Sequence, residues 1–68
     1  MNLDKKTRLN VVLYEIVPAI CDHKNKKFQL KMLEKHECIA KKLNAECGYP
    51  VADIHQLFDE ARKEVERN

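Results

Sequence analysis

The sequence predicts an all-α fold in which three helices form one small bundle. The composition of the 68 residues favours helices, since it includes one glycine, two prolines and no serine, and many of its long unbranched side chains lose little freedom in a helix. Apolar residues recur three or four positions apart in three separate stretches. No repeat, low-complexity tract or linker divides the chain. We therefore expect residues 1–68 to form a single domain.

The first predicted helix follows an apolar stripe that leads to a proline. The residues of the stripe are Leu9, Val12, Leu13, Ile16, Val17 and Ile20. Asp4 is a candidate N-cap. Pro18 has no amide donor and its ring clashes with the carbonyl four residues earlier, so a regular helix is expected to stop or kink there. Residues 21–27 are expected to form a polar connection.

The second helix is predicted over residues 29–44 and the third from Val51 onward. The shared face of the second helix is expected to carry Met32, Leu33, His36, Ile39, Ala40 and Leu43. Asn44, Gly48 and Pro50 should end it, because glycine tolerates the left-handed conformation and proline cannot continue a helix. Pro50 is expected to open the third helix. The periodic apolar positions of that helix are Val51, Ile54, Leu57, Phe58, Ala61 and Val65.

Charge is unevenly distributed along the chain. Residues 1–50 contain ten of the thirteen Lys and Arg residues and six of the eleven Asp and Glu residues, so their net charge is +4. The last eighteen residues contain three Lys and Arg and five Asp and Glu residues, so their net charge is −2. No stretch approaches the ~20 apolar residues of a membrane span, and none has the form of a signal sequence. We expect a protein that is not exported and has no membrane partner.

The cysteine and histidine residues are candidate zinc ligands. Those considered are Cys21, His23, His36, Cys38 and Cys47. Structural zinc sites use Cys-x2-4-Cys or His-x3-5-His pairs, whereas positions two apart on a helix diverge by about 200°. We therefore expect no metal and no other cofactor, and we expect Cys21 and Cys38 to be small, buried apolar residues. Three cysteines cannot all pair within one chain, which favours a reducing compartment, the cytosol or the nucleus.

Catalysis has little support in the sequence. The chain has no serine, one threonine and no Gly-rich phosphate loop. His36 and Cys38 are expected on different faces of their helix, so they do not form a nucleophile and base pair. We expect a binding domain and no enzyme.

Three motifs along the chain resemble those of one family. The first, followed by Phe28, is the run Leu13-Tyr14-Glu15-Ile16-Val17-Pro18-Ala19-Ile20-Cys21-Asp22. The second is the Ile39-Ala40 pair, and the third is the spacing of Phe58, Ala61, Arg62 and Val65. Together they are similar to MADF domains, relatives of the Myb/SANT three-helix modules. His36, Phe58 and Val65 stand where that family has larger aromatic anchors, so this would be a divergent member. Whether His36 occupies the place of the family's tryptophan stays open.

The resemblance implies a Myb/SANT-like bundle in a nuclear protein of chromatin or transcription, of which this domain is one module. In Myb-like modules the last helix enters the major groove of DNA. Here that helix carries a net negative charge and would be repelled by phosphates. We therefore expect a protein-protein interaction module with a chromatin or transcription protein as partner. The predicted contact residues are Asp53, His55, Gln56, Asp59, Glu60 and Lys63.

Two alternatives stay open. One is a DNA-binding domain of weak sequence preference, which uses a basic patch on the phosphate backbone. Its predicted backbone contacts are Arg8, Lys24, Lys26 and Lys27, with His55, Gln56 and Arg62 nearest the bases. The other is self-association, because Val11, Val12 and Tyr14 cannot all be covered by one narrow stripe.

Overall fold

The computed structural model describes residues 4–48 and 50–67, and every regular element within these ranges is helical. The elements are α1 (Lys5–Val11), a π-helical turn (Val12–Ile16), α2 (Val17–Cys21), α3 (Lys26–Cys47) and α4 (Val51–Arg67). Because α1, the π turn and α2 follow one another without a break, we call residues 5–21 the N-terminal helix. The N-terminal helix, α3 and α4 pack compactly on one another. The predicted all-α fold is confirmed for the described residues.

The N-terminal helix continues through Pro18 by widening before it. The amide of Val17 donates to the carbonyl of Val12, five residues back, which is the π-helical pattern. Proline has no amide with which to continue the α-helical series, so the regular pattern is interrupted here, as predicted. The helix does not end at this point, however, and it reaches Cys21. The connection to α3 is therefore shorter than predicted and spans residues 22–25.

Side-chain caps fix the start of two helices. The Asp4 carboxylate accepts a hydrogen bond of 2.7 Å from the amide of Thr7, which confirms the predicted N-cap. This backbone hydrogen bond lowers the pKa of the Asp4 carboxyl. At the start of α3 the side chain of Asn25 accepts a hydrogen bond of 3.0 Å from the amide of Phe28. The capping asparagine explains why α3 begins three residues before the predicted start.

A glycine ends α3. Gly48 adopts the left-handed conformation, with φ of 78°, and its amide donates to the carbonyl of Asn44. The predicted role of Gly48 is confirmed, but α3 extends to Cys47, beyond the predicted end at residue 44. At the start of α4, the carbonyl of Pro50 accepts a hydrogen bond from the amide of Asp53. The predicted start of the third helix at Val51 is also confirmed.

The core lies between the three helices and contains residues from all of them. The buried apolar side chains are Leu9, Val12, Leu13, Val17, Ile20, Leu33, Ala40, Leu43, Ile54, Phe58, Ala61 and Val65. One predicted apolar position is wrong, because Val51 is 61% exposed in the first turn of α4. Three polar side chains on α3 are buried and were not predicted. They are Gln29, Glu37 and Asn44.

The polar core residues of α3 hold the neighbouring helices. The side-chain amide of Gln29 donates to the carbonyls of Ile20 and Cys21, at 2.9 and 3.0 Å, so it satisfies the open end of the N-terminal helix. The carboxylate of Glu37 accepts hydrogen bonds from Arg62 of α4 and from Lys41.

No helix among the described residues has the length and apolar character needed to cross a membrane.

Candidate functional site

A shallow groove runs between the N-terminal helix and α4. It consists of two adjoining depressions that share Leu13 and Leu57. Its apolar floor is formed by Leu13, Val17, Ile54, Leu57 and Ala61. The groove lies where the N-terminal helix packs against α4. Leu57 is half-buried and the other four floor residues are buried, so the floor exposes apolar surface mainly at Leu57. A cleft with an apolar floor is a candidate binding surface.

The edges of this groove carry only negative charge. The carboxylates that line it are Asp22, Asp53, Glu60 and Glu64, and no lysine, arginine or histidine lines it. None of these four carboxylates forms a salt bridge within the described part of the chain. We call this surface, with its apolar floor and its four carboxylates, the acidic groove.

The acidic edge on α4 follows from helical spacing. Asp53, Leu57, Glu60 and Glu64 are separated by four, three and four positions, which places them in one row along the helix. The side-chain amide of Gln56 donates to Glu60 at 3.3 Å. Glu60 and Glu64 are the one like-charge pair in the row at a spacing of four, and such a pair disfavours an isolated helix by a few tenths of a kcal/mol. A cationic ligand beside the row would relieve this repulsion.

Cys21 lies in the acidic groove and is a poor nucleophile. Burial raises the pKa of its thiol, and the negative charges of Glu64 and Asp22 raise it further. A thiol with a raised pKa stays protonated at neutral pH, and only the thiolate reacts readily. Cys21 therefore contributes a protonated, weakly nucleophilic thiol to the lining of the groove.

An exposed aromatic residue lies at one end of the acidic groove. Tyr14, on the π turn, is 67% exposed and lines the groove together with Asn10 and Asp53. The self-association hypothesis rested on apolar surface at three residues of this region. Of these, Tyr14 is exposed, Val11 is half-buried and Val12 is buried. A tyrosine ring with a hydroxyl group offers contact area and a hydrogen bond at little entropic cost.

The structure divides the predicted protein-binding residues of α4 between different faces. Asp53 and Glu60 line the acidic groove, and Gln56 contacts Glu60. Lys63 forms a 3.3 Å ion pair with Asp59. His55 is exposed and lines none of the depressions that form the groove. The prediction did not include Glu64, Asp22, Tyr14 or Leu57. The spacing along α4 indicates Glu64. Tyr14 comes from the N-terminal helix and Asp22 from the connection that follows it, so these two needed the tertiary structure.

The structure does not bring the predicted nucleic-acid-binding residues together. Arg8 lines a second groove, between the N-terminal helix and α3, beside His36 and Leu43. Lys26 lies at the start of α3, where its amine donates to the carbonyl of Glu66 at the C-terminal end of α4. Arg62 is engaged with Glu37. Lys24, Lys27, His55 and Gln56 are exposed.

An ion pair between the buried Glu37 and the half-buried Arg62 joins α3 to α4 outside the acidic groove. Burial by itself raises the pKa of the Glu37 carboxyl, but hydrogen bonds from Lys41 and Arg62 and their positive charges outweigh it, so the pKa is lowered overall. The carboxylate is ionised at neutral pH and is held by two cations. This arrangement stabilises the packing of two helices.

The candidate zinc ligands lie apart from one another. Among residues 4–48 and 50–67, no three His, Cys, Asp or Glu side chains are grouped in a way that would hold a metal ion. Nδ1 of the half-buried His36 lies 2.9 Å from the carbonyl of Met32. The prediction that Cys38 is buried is wrong, because Cys38 lies on the exposed face of α3 together with Lys31, Lys35 and Lys42. Cys21 is half-buried.

Comparison with known proteins gives no match: no family model, no curated protein and no solved structure matches this chain.

Proposed function

We propose that this domain is a protein-protein interaction module, which binds a basic amphipathic helix of a partner protein in the acidic groove. The observation that carries the proposal is the combination of an apolar floor with four carboxylates and no cationic side chain at the edges. An amphipathic helix would place its apolar side chains on the half-buried Leu57 and beside the exposed Tyr14, and its Lys or Arg residues beside the carboxylates. The predicted contacts Asp53 and Glu60 are part of this surface.

The chemistry of the acidic groove suggests a contact of moderate strength. The groove is shallow and exposed, so its ion pairs are partly screened by solvent and each contributes about 1 kcal/mol or less. Tyr14 provides an aromatic anchor at the rim. Complementary charge mainly increases the association rate and the selectivity for basic segments over acidic ones. We expect affinity in the micromolar range, with a clear dependence on salt.

The resemblance to MADF domains extends the proposal to the biological setting. It supports a Myb/SANT-like, nuclear module whose partner is a chromatin or transcription protein. The support consists of the three motifs given above and of the negative charge on α4. DNA binding has weaker support, because Arg8 and Lys26 lie far apart in the fold and Arg62 is already paired with Glu37.

The proposal is tested by titrating the domain with a labelled helical peptide that carries leucines on one face and lysines on both flanks. Fluorescence anisotropy at low and at near-physiological salt reports binding. A peptide of the same length with glutamates in place of the lysines is the first control. We expect binding of the basic peptide alone, and we expect a random-sequence DNA duplex to bind more weakly at every salt concentration.

Matched variants locate the site. Glu60→Lys should weaken binding of the basic peptide about tenfold or more, since it replaces an attraction by a repulsion. Glu15→Lys makes the same charge change at an exposed residue outside the acidic groove and should have little effect. Equal effects of both variants, or tight salt-sensitive binding of DNA without binding of the peptide, would contradict the proposal.

A further inference from the structure

A second charged surface lies on the outer face of α3. Lys31, Lys35, Cys38 and Lys42 are all exposed and line one shallow surface, together with Glu34 and the half-buried Ile39. Their spacing of four, three and four positions places them in one row along the helix. None of the three lysines forms a salt bridge with another of the described residues. We call this row of four residues the basic ridge.

The basic ridge and the α4 edge of the acidic groove have the same spacing and opposite charge. Each row spans eleven residue steps, which is about 17 Å along a helix. When the two helices run antiparallel, every lysine faces a carboxylate and the uncharged members face each other. The pairs in this register are Lys42 with Asp53, Cys38 with Leu57, Lys35 with Glu60 and Lys31 with Glu64.

The parallel orientation gives a poorer match. It places Lys35 against the apolar Leu57 and Glu60 against Cys38, so two charges lose their partners. A charge facing an apolar side chain in a contact loses hydration without compensation. Charge complementarity therefore selects the antiparallel register.

We propose that two copies of this chain associate head to tail, with the basic ridge of one copy in the acidic groove of the other. A single chain cannot make this contact with itself, because the ridge and the groove have no lining residue in common and the ridge lies on the outer face of α3, away from the cleft between the other two helices. The contact is heterologous. Each pair therefore retains one free groove and one free ridge and can add further copies.

This association would also regulate the site. A second copy in the acidic groove excludes the basic helix of a partner, so the free groove would become less available as the concentration of the domain rises. This regulatory step rests on the proposed function, because both ligands use the same groove. The contact is small and consists mainly of exposed ion pairs, so the association is weak and decreases with added salt.

The experiment measures the mass of the domain by sedimentation velocity over a range of concentrations, at low and at high salt. The wild-type domain should form dimers and larger species at low salt and should be monomeric at high salt. Lys35→Glu destroys the ridge and keeps the groove, and Glu60→Lys does the reverse. Each variant alone should be monomeric under conditions in which the wild type associates.

A mixture of the two variants gives the decisive result. The intact ridge of the Glu60→Lys chain fits the intact groove of the Lys35→Glu chain, so an equimolar mixture should form a 1:1 dimer and nothing larger. A chain that carries both substitutions has matched charges again and should recover association. Lys24→Glu, at an exposed loop position, is the control and should associate like the wild type. Circular dichroism confirms that each variant is folded.

The outcomes separate this inference from the proposed function. A wild-type domain that stays monomeric at low salt and high concentration, or a mixture of variants that stays monomeric, would overturn the head-to-tail contact. The Lys35→Glu variant can still be titrated with the basic peptide, because its groove is intact. Peptide binding without association would overturn this inference alone, whereas association without peptide binding would overturn the proposed function alone.

Discussion

Removing the charge of Glu37 should destabilise the domain. Glu37 is 8% exposed, and its carboxylate is held by Arg62 from α4 and by Lys41 one turn further along α3. The Glu37→Gln substitution keeps the size of the side chain, but the half-buried guanidinium of Arg62 loses its counter-charge. Breaking a fully buried pair costs roughly 3–5 kcal/mol. Arg62 and Lys41 are partly hydrated here, so we expect a loss of about 1–2 kcal/mol.

This loss is large for so small a domain, whose total stability is expected at roughly 3–10 kcal/mol. It corresponds to a decrease in melting temperature of about 5–15 °C. Urea unfolding followed by circular dichroism measures the difference directly. Glu34→Gln, which removes the charge of an exposed glutamate on the same helix, is the matched control and should change the stability by less than about 0.5 kcal/mol.

The pH dependence gives a second measure of the same pair. Because the folded state lowers the pKa of Glu37, its ionised form adds stability at every pH above the ordinary pKa of glutamate, about 4.3. That contribution is lost as the pH falls below this value and through the lower pKa of the folded state. The stability difference between wild type and Glu37→Gln should therefore shrink between pH 7 and pH 3. A difference that is negligible at pH 7, or constant over this range, would refute the reasoning.

Three further predictions concern other parts of the fold. Gly48→Ala should lower the free energy of unfolding by about 1 kcal/mol, because an added Cβ meets no neighbour and the cost comes only from the left-handed backbone conformation. Gly48→Asn should lower it less, since asparagine tolerates this conformation better. Gln29→Leu should lower the free energy of unfolding, measured with urea, by about 1–2 kcal/mol, since the carbonyls of Ile20 and Cys21 lose their donor. An unchanged stability would show that water replaces the side-chain amide. In the folded protein at pH 8, iodoacetamide should modify Cys38 faster than Cys21, and denaturation should remove the difference.

The apolar periodicity predicted most of the fold correctly, but it missed the buried polar residues of α3. A period of apolar residues identifies a helix and its dominant face, but it cannot identify a polar residue that is buried because its partner comes from another helix. Gln29 is buried since it meets the end of the N-terminal helix, and Glu37 is buried since it meets Arg62. The predicted burial of Cys38 failed for the related reason that α3 has an outer face that nothing covers.

Part of the acidic groove could be predicted from the sequence. The negative charge of α4 identified a helix that borders the groove, and two of the predicted contact residues, Asp53 and Glu60, line it. Lys63 and Asp59 pair with each other, and His55 lies outside the groove, because one helix has several faces and the sequence alone does not show which of them borders a neighbour. Asp22 joins the groove from the connection between the N-terminal helix and α3.

The sequence by itself determined the number of helices, the caps at Asp4 and Gly48, and the spacing that puts Asp53, Glu60 and Glu64 in one row, because these depend on local geometry within a few residues. Only the tertiary structure decided that this row borders an apolar floor and that the lysines of α3 face away from it. The physical reason is that a groove is formed by two helices whose relative rotation follows from packing of the whole core, which no local pattern specifies.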